Sequence, residues 1–246
     1  MSLARQAVAM TVAGAVALAD IRVAPVERET LQERVYNRLA NLILDGDIPP
    51  GRLITIQSLA EAFGVSAMPV REALKRLTAS NALTVVSGRS IGVPPITLER
   101  LTDLRNVRRE IEGAATAWAA KRIGAGALAA LERDLARMDQ AIASSETTPY
   151  LRANRSFHFT IYRASGSPVS VALIESLWLQ ISPYFNLLQG SGNYVSANSS
   201  HRIAAEALAR GDAASAKAAI RADIDRAFEI LASMLAGETP RAFTVP

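Results

Sequence analysis

The chain contains only two histidines, and helical spacing gives each of them company. His158 lies in NRSFHFTIYRASGSP, four residues after Asn154, so the two share one helix face. His201 opens the pattern SSHRIAAEALARGD, and Asp223 sits in IRADI on the last amphipathic stretch. Asn154, His158, His201 and Asp223 thus offer nitrogen and oxygen donors from three helices, a set that holds a divalent cation if a bundle brings it together. A histidine flanked by Phe157 and Phe159 is also commonly a core residue satisfied by hydrogen bonds, and spacing alone leaves both readings open. Catalysis finds little to work with. No glutamate accompanies either histidine in the manner of H-E-x-x-H, and cysteine is absent. The expectation is a binding site, not an enzyme.

A second constellation is cationic. LAEAFGVSAMPVREALKRL, residues 59–77, reads as two short helices around a Gly64-Val65 turn. The second begins at Ser66, continues with Ala67 and Met68, and carries Arg71 and Lys75 on one face. Such a helix fits end-on into a major groove about 12 Å wide. Its small leading residues permit close approach, and its first-turn N–H groups face phosphates. Arg71 is placed for a forked contact to guanine and Lys75 for a phosphate. The extended stretch that follows turns at Gly88, where Arg89 would reach backbone or minor groove. The competing reading is a solvated basic helix with Glu72 as internal partner. The short helix before it and the hairpin after it favour DNA.

The elements that must position these groups fall into two domains. Residues 29–94 show a capped helix (Leu31, Val35, Leu39, Leu42, Ile43), a DIPPG turn, the two short helices and a small β-hairpin wing. Residues 95–238 read as helix throughout, in segments 97–122, 126–144, 148–165, 168–189, 193–210 and 213–236 parted by short Gly/Ser breaks. The expected fold is mainly α: a winged helix-turn-helix, then an all-α antiparallel helical bundle. Residues 1–28 are an arm or extra helix, and 239–246 a tail. Tyr150, Trp178 and Tyr184 are candidates to line a bundle cavity or simply to fill its core.

Composition bounds the rest. Of 246 residues half are apolar and a fifth charged, with a net charge of +4, which permits nucleic-acid binding without requiring it. Without cysteine there are no disulfides, and a cytoplasmic setting fits. No apolar run reaches the ~18 residues of a membrane span. Residues 7–19 imitate a secretory leader, but a DNA-reading domain after them argues for an alanine-rich helix or arm.

With IPPG, LAEAFGVS and PVREALKRL, residues 29–94 resemble the DNA-binding domain of the GntR family of bacterial transcription regulators. LRNVRREIEGAAT, FHFTIYRASGSP and HRIAAEALARGDAASAKAAIRADI make the remainder resemble the effector domain of its FadR-type branch, called FCD. The resemblance implies a homodimer on double-stranded operator DNA, tuned by a small carboxylate effector and sometimes by a bound metal. It places Arg71 and wing residue Gly88 at the DNA. Two arginines frequent in the family are replaced here by Ala67, followed by Met68, and by Gln57. Each arginine–guanine contact carries about 1–3 kcal/mol of discrimination, so the operator differs from the family's common one or binding is weaker. In metal-binding relatives an aspartate and three histidines form the site. Those slots hold Asn154, His158, His201 and Asp223, so the carboxylate has crossed the site. Zinc or nickel would accept two imidazoles and one carboxylate. Arg108 falls where relatives turn an arginine into the cavity to meet an acid. Its alternative is an ion pair with Glu112, one turn on.

Overall fold

Leu31–Leu44 forms α1 because Val35, Leu39 and Ile43 recur every four residues, and all three are buried. The computed structural model describes residues 30–87, 90–189 and 191–237, and the described residues from Leu31 onward belong to one compact unit. The expected arm (1–28), the tail (239–246) and the hairpin tip with Gly88 and Arg89 lie outside the described residues.

After α1 come β1 (Leu53–Thr55), α2 (Ile56–Phe63), α3 (Ala67–Ala79), β2 (Thr84–Ser87) and β3 (Ser90–Gly92). A reciprocal capping box starts α2: Ser58 N–H donates to Thr55 Oγ1 at 3.1 Å, and Thr55 N–H to Ser58 Oγ at 3.2 Å. Gly64 ends it with φ of 63°, a left-handed conformation that favours glycine. Val70, Ala73, Leu74 and Leu77 bury one face of α3, which packs against α1. The wing is larger than the sequence suggests. β1 adds to the hairpin in the antiparallel order β1-β3-β2, with Ile54 opposite Ile91. Three residues are too few to show alternation, so β1 is visible only through its distant partner.

The bundle comprises α4 (Leu98–Ala119), α5 (Ala125–Ala143), α6 (Thr147–Ala164), α7 (Pro168–Ile181), α8 (Asn193–Ala209) and α9 (Ala213–Leu235). Thr97, Ser167 and Asp212 cap α4, α7 and α9 through their side chains. α9 packs along α4 and α8, and α5 along α6. The expected single helix over 168–189 is corrected: α7 stops at Ile181, and Ser182–Leu188 continues as a 3-10 segment. Pro183 supplies no N–H and crowds the preceding turn, which ends the α-helical ladder.

The two domains share polar contacts. Asp45 at the end of α1 accepts from Arg152 and Arg155 of α6, each at 3.0 Å. Asn186 Nδ2 donates to the Gly46 carbonyl at 2.8 Å, and the Tyr184 hydroxyl donates to the carbonyl of Pro94 in the linker. Partly exposed ion pairs contribute only about 0–1 kcal/mol each, and buried apolar residues of both parts share one core.

Candidate functional site

Three bundle helices bring the expected metal-ligand candidates together. His158 on α6 and His201 on α8 are 1% and 0% exposed, and their Nε2 atoms stand 3.1 Å apart. Asp223 on α9 faces both: Oδ2 is 3.4 Å from His158 Nε2 and Oδ1 is 3.5 Å from His201 Nε2. Burial pushes the Asp223 carboxyl up, but the nearby His201 and His158 outweigh it and hold it well below the usual carboxylate range. Burial lowers His158, with Asp223 pulling the other way. The chemistry inside the bundle is therefore an anionic carboxylate beside a neutral imidazole.

A relay behind His158 fixes which nitrogen faces the centre. Arg108 Nε donates to Glu112 Oε1 at 2.6 Å and its Nη2 to Oε2 at 3.3 Å, a forked pair with both side chains buried. Burial depresses the Arg108 guanidinium and Glu112 more than restores it, leaving it raised. The Tyr162 hydroxyl donates to Glu112 Oε2 at 2.5 Å, which commits its proton, so Tyr162 Oη accepts from His158 Nδ1 at 2.9 Å. With its proton on Nδ1, His158 turns a lone pair from Nε2 toward Asp223. A carboxylate and one or two imidazole lone pairs then converge within 4.8 Å, an acceptor cluster that a divalent cation reconciles. The donor set fits a metal. Asn154 lies one turn before His158 and lines the same small cavity as Asp223.

That cavity is small. It measures about 20 Å³, room for about one water, and is bordered by Tyr150, Asn154, Phe185, Asn193, Tyr194 and Asp223. Tyr150 and Tyr194 stack with ring centroids 4.0 Å apart. A second cavity of about 10 Å³ lies on the Arg108 side, and Phe185 borders both. Buried polar atoms here that lack a partner among the described residues include His201 Nδ1, Asn193 Oδ1 and Trp178 Nε1. Trp178 and Tyr184 are core residues, each 1% exposed, as one of the two sequence readings has it.

On the other domain, Arg71 and Lys75 stand exposed on α3 and form no ion pair among the described residues. Arg76 is already engaged, its guanidinium 3.8 Å over the Tyr36 ring. Ser66 holds the N-cap position but makes no side-chain cap bond, leaving the first turn of α3 open. Ala67 is half-buried, Met68 is 63% exposed, and Gln57 is exposed with its amide donating to Glu61 at 2.9 Å.

Sequence reasoning missed Tyr162 and saw Glu112 only as a neighbour of Arg108. The signal was the four-residue step itself: Asn154, His158 and Tyr162 continue one stripe, as Arg108 and Glu112 begin another. Phe185 and Asn193 gave no such signal.

Comparison with known proteins identifies both parts of the chain. Residues 31–93 match the model for bacterial regulatory proteins of the gntR family, and residues 103–226 match the FCD domain. The chain belongs to the GntR family, in the branch that carries an FCD domain. It is 33% identical over 159 residues to the HTH-type transcriptional regulator McbR of Escherichia coli, spanning 65% of this chain and 72% of that protein. It is 29% identical over 124 residues to the uncharacterized HTH-type regulator YdhC of Bacillus subtilis, 50% of this chain and 55% of that one. The solved structure of E. coli McbR/YncC superimposes with a TM-score of 0.77 at 28% identity, covering 83% of this chain and 98% of that one. The chain is a DNA-binding transcriptional regulator and not an enzyme. Among the described residues no helix is long and apolar enough to cross a membrane.

Proposed function

We propose that the protein is a cytoplasmic, homodimeric repressor whose hold on operator DNA is set by a small carboxylate bound in the helical domain, with a divalent metal as part of that site. The convergence of His158, His201 and Asp223 around one point carries this reading. Arg108 and Glu112 form a buried ion pair, and Asp223 adds an anionic carboxylate to the site. A divalent ion offsets that charge and leaves a place for one carboxylate. Zinc or nickel suits two imidazoles and a carboxylate, with the Asn154 amide oxygen as a weak further ligand. The metal, when bound, supplies a Lewis-acid anchor for an acid's oxygen. Glu112 and Tyr162 hold the His158 tautomer, and Arg108, shared with Glu112, offers its guanidinium to an acid at the far side of Phe185.

At the DNA, Arg71 reads a base edge, Lys75 pairs with phosphate, and Gln57, Ser66, Ala67 and Met68 line the contact, with Gly88 and Arg89 on the wing. Self-association is supported by apolar side chains left in water on neighbouring helices, Val107 and Trp118 of α4 with Val169 and Leu173 of α7. Coupling requires the acid to favour one arrangement of the dimer over another.

Elemental analysis of the purified protein, followed by thermal shift with lactate, citrate and benzoate with and without chelator, tests the reading. The expected result is about one zinc or nickel per chain, lost in His158→Ala, and a chelator-sensitive shift with at least one acid. Full metal content in His158→Ala would remove the site.

A further inference from the structure

We infer that Phe185 is a built-in plug of the effector cavity, and that the 3-10 segment carrying it transmits cavity occupancy to the DNA-reading domain. The inference rests on the effector reading above and names how that site is regulated.

The cavities by Asp223 and by Arg108, about 20 and 10 Å³, are too small for any organic acid, whose sites run to hundreds of cubic ångströms. Phe185 and Ala227 border both cavities. Ala227, on α9, has only a methyl group to move. Phe185 has a whole ring, set edge-on to Trp178 at 5.9 Å and with the Arg108 guanidinium 5.7 Å from its centroid. Withdrawing that ring joins the two spaces into one, with the His–Asp centre at one end and Arg108 at the other. A carboxylate with a compact apolar body about the size of the departing ring is the ligand that fits.

The segment around Phe185 is built to move. Seven residues of 3-10 helix is a long run of a poorly bonded helix type. An outer groove of about 260 Å³ shares Leu188 and Tyr194 with the inner cavity, so the end of the same segment also walls off the way in.

The residues on either side of the plug hold the other domain. The Tyr184 hydroxyl donates to the Pro94 carbonyl, and Asn186 Nδ2 donates to the Gly46 carbonyl at 2.8 Å. Gly46 has φ of 77°, and a Cβ there would lie 2.5 Å from Asn186 Nδ2, so the contact is close. A shift of the segment that withdraws Phe185 pulls on both of these bonds. Two states follow: ring in with the segment docked, or ligand in with the segment released.

The test uses full-length, metal-loaded protein, an operator selected from random duplexes, and a Trp118→Phe background that leaves Trp178 as sole fluorescent reporter of the two tryptophans. Phe185→Ala is expected to bind benzoate about tenfold more tightly than the parent, because the competing ring is gone. Benzoate should then shift operator affinity of Phe185→Ala by about tenfold, and adding Tyr184→Phe with Asn186→Ala should cut that shift to about threefold or less while benzoate still binds. If Phe185→Ala folds poorly, Phe185→Leu carries the same readouts with a smaller gain. No gain in benzoate affinity overturns the plug, and an operator response that survives loss of both tethers overturns the transmission. A parent that ignores every acid tried, beside a responsive Phe185→Ala, counts against the effector reading and not against the plug.

Discussion

The DNA-reading domain and the helical domain hold their functional charged residues in opposite circumstances. Arg71 and Lys75 point into water from α3 and meet no carboxylate among the described residues. Arg108, Glu112, His158, His201 and Asp223 lie inside the bundle, each answered by another. An exposed, unpaired cation costs the fold almost nothing and keeps its full attraction for a partner. A buried charge persists only because its counter-charge is in place. Substitution should therefore affect binding without stability in the first domain, and stability together with ligand chemistry in the second.

The largest break in that contrast is Glu112→Leu. It leaves Arg108 buried without a counter-charge and frees Tyr162 and His158 from their fixed tautomer, so urea unfolding should lose about 3–5 kcal/mol. Gly46→Ala acts at the junction, where positive φ and the close Asn186 amide both oppose a side chain. It should cost about 1–2 kcal/mol in the same assay and loosen the docking of the two domains. Thr55→Ala removes the α2 cap and should cost about 1 kcal/mol, leaving metal content unchanged. Acid sharpens the comparison gradually. His158 is held neutral by burial, so the unfolded chain takes up its proton first as pH falls past 6.5, and stability of chelator-treated protein declines from there. Asp223, depressed in the folded state, adds a loss of the same sign at much lower pH. A pH titration of chemical unfolding, parent against His158→Ala, should show the decline flattened in the variant.

How much of this could be read from the sequence follows from the same contrast. The reading domain was legible because its determinants are local: Thr55, Gly64, Ser66 and Pro69 punctuate helices within a few residues of themselves. The ligand candidates His158, His201 and Asp223 were legible as types on helices, and the bundle does bring these three together. Their supporting relay was not, since Glu112 to Tyr162 spans fifty residues and depends on how α4 meets α6. β1 escaped for the same reason, its partner being a distant strand. The break in α7 had a local cause in Pro183, yet Ser182–Leu188 keeps apolar residues at helical spacing and so reads as uninterrupted helix.

The most direct test of the account is equilibrium binding of the selected operator duplex by parent and Arg71→Ala, alongside urea unfolding of both. The expected result is a loss of about 1–3 kcal/mol of specific binding per half-site, with unfolding free energies equal to within about 0.5 kcal/mol. Undiminished specific binding by Arg71→Ala, or a loss of binding that tracks an equal loss of fold stability, would contradict it.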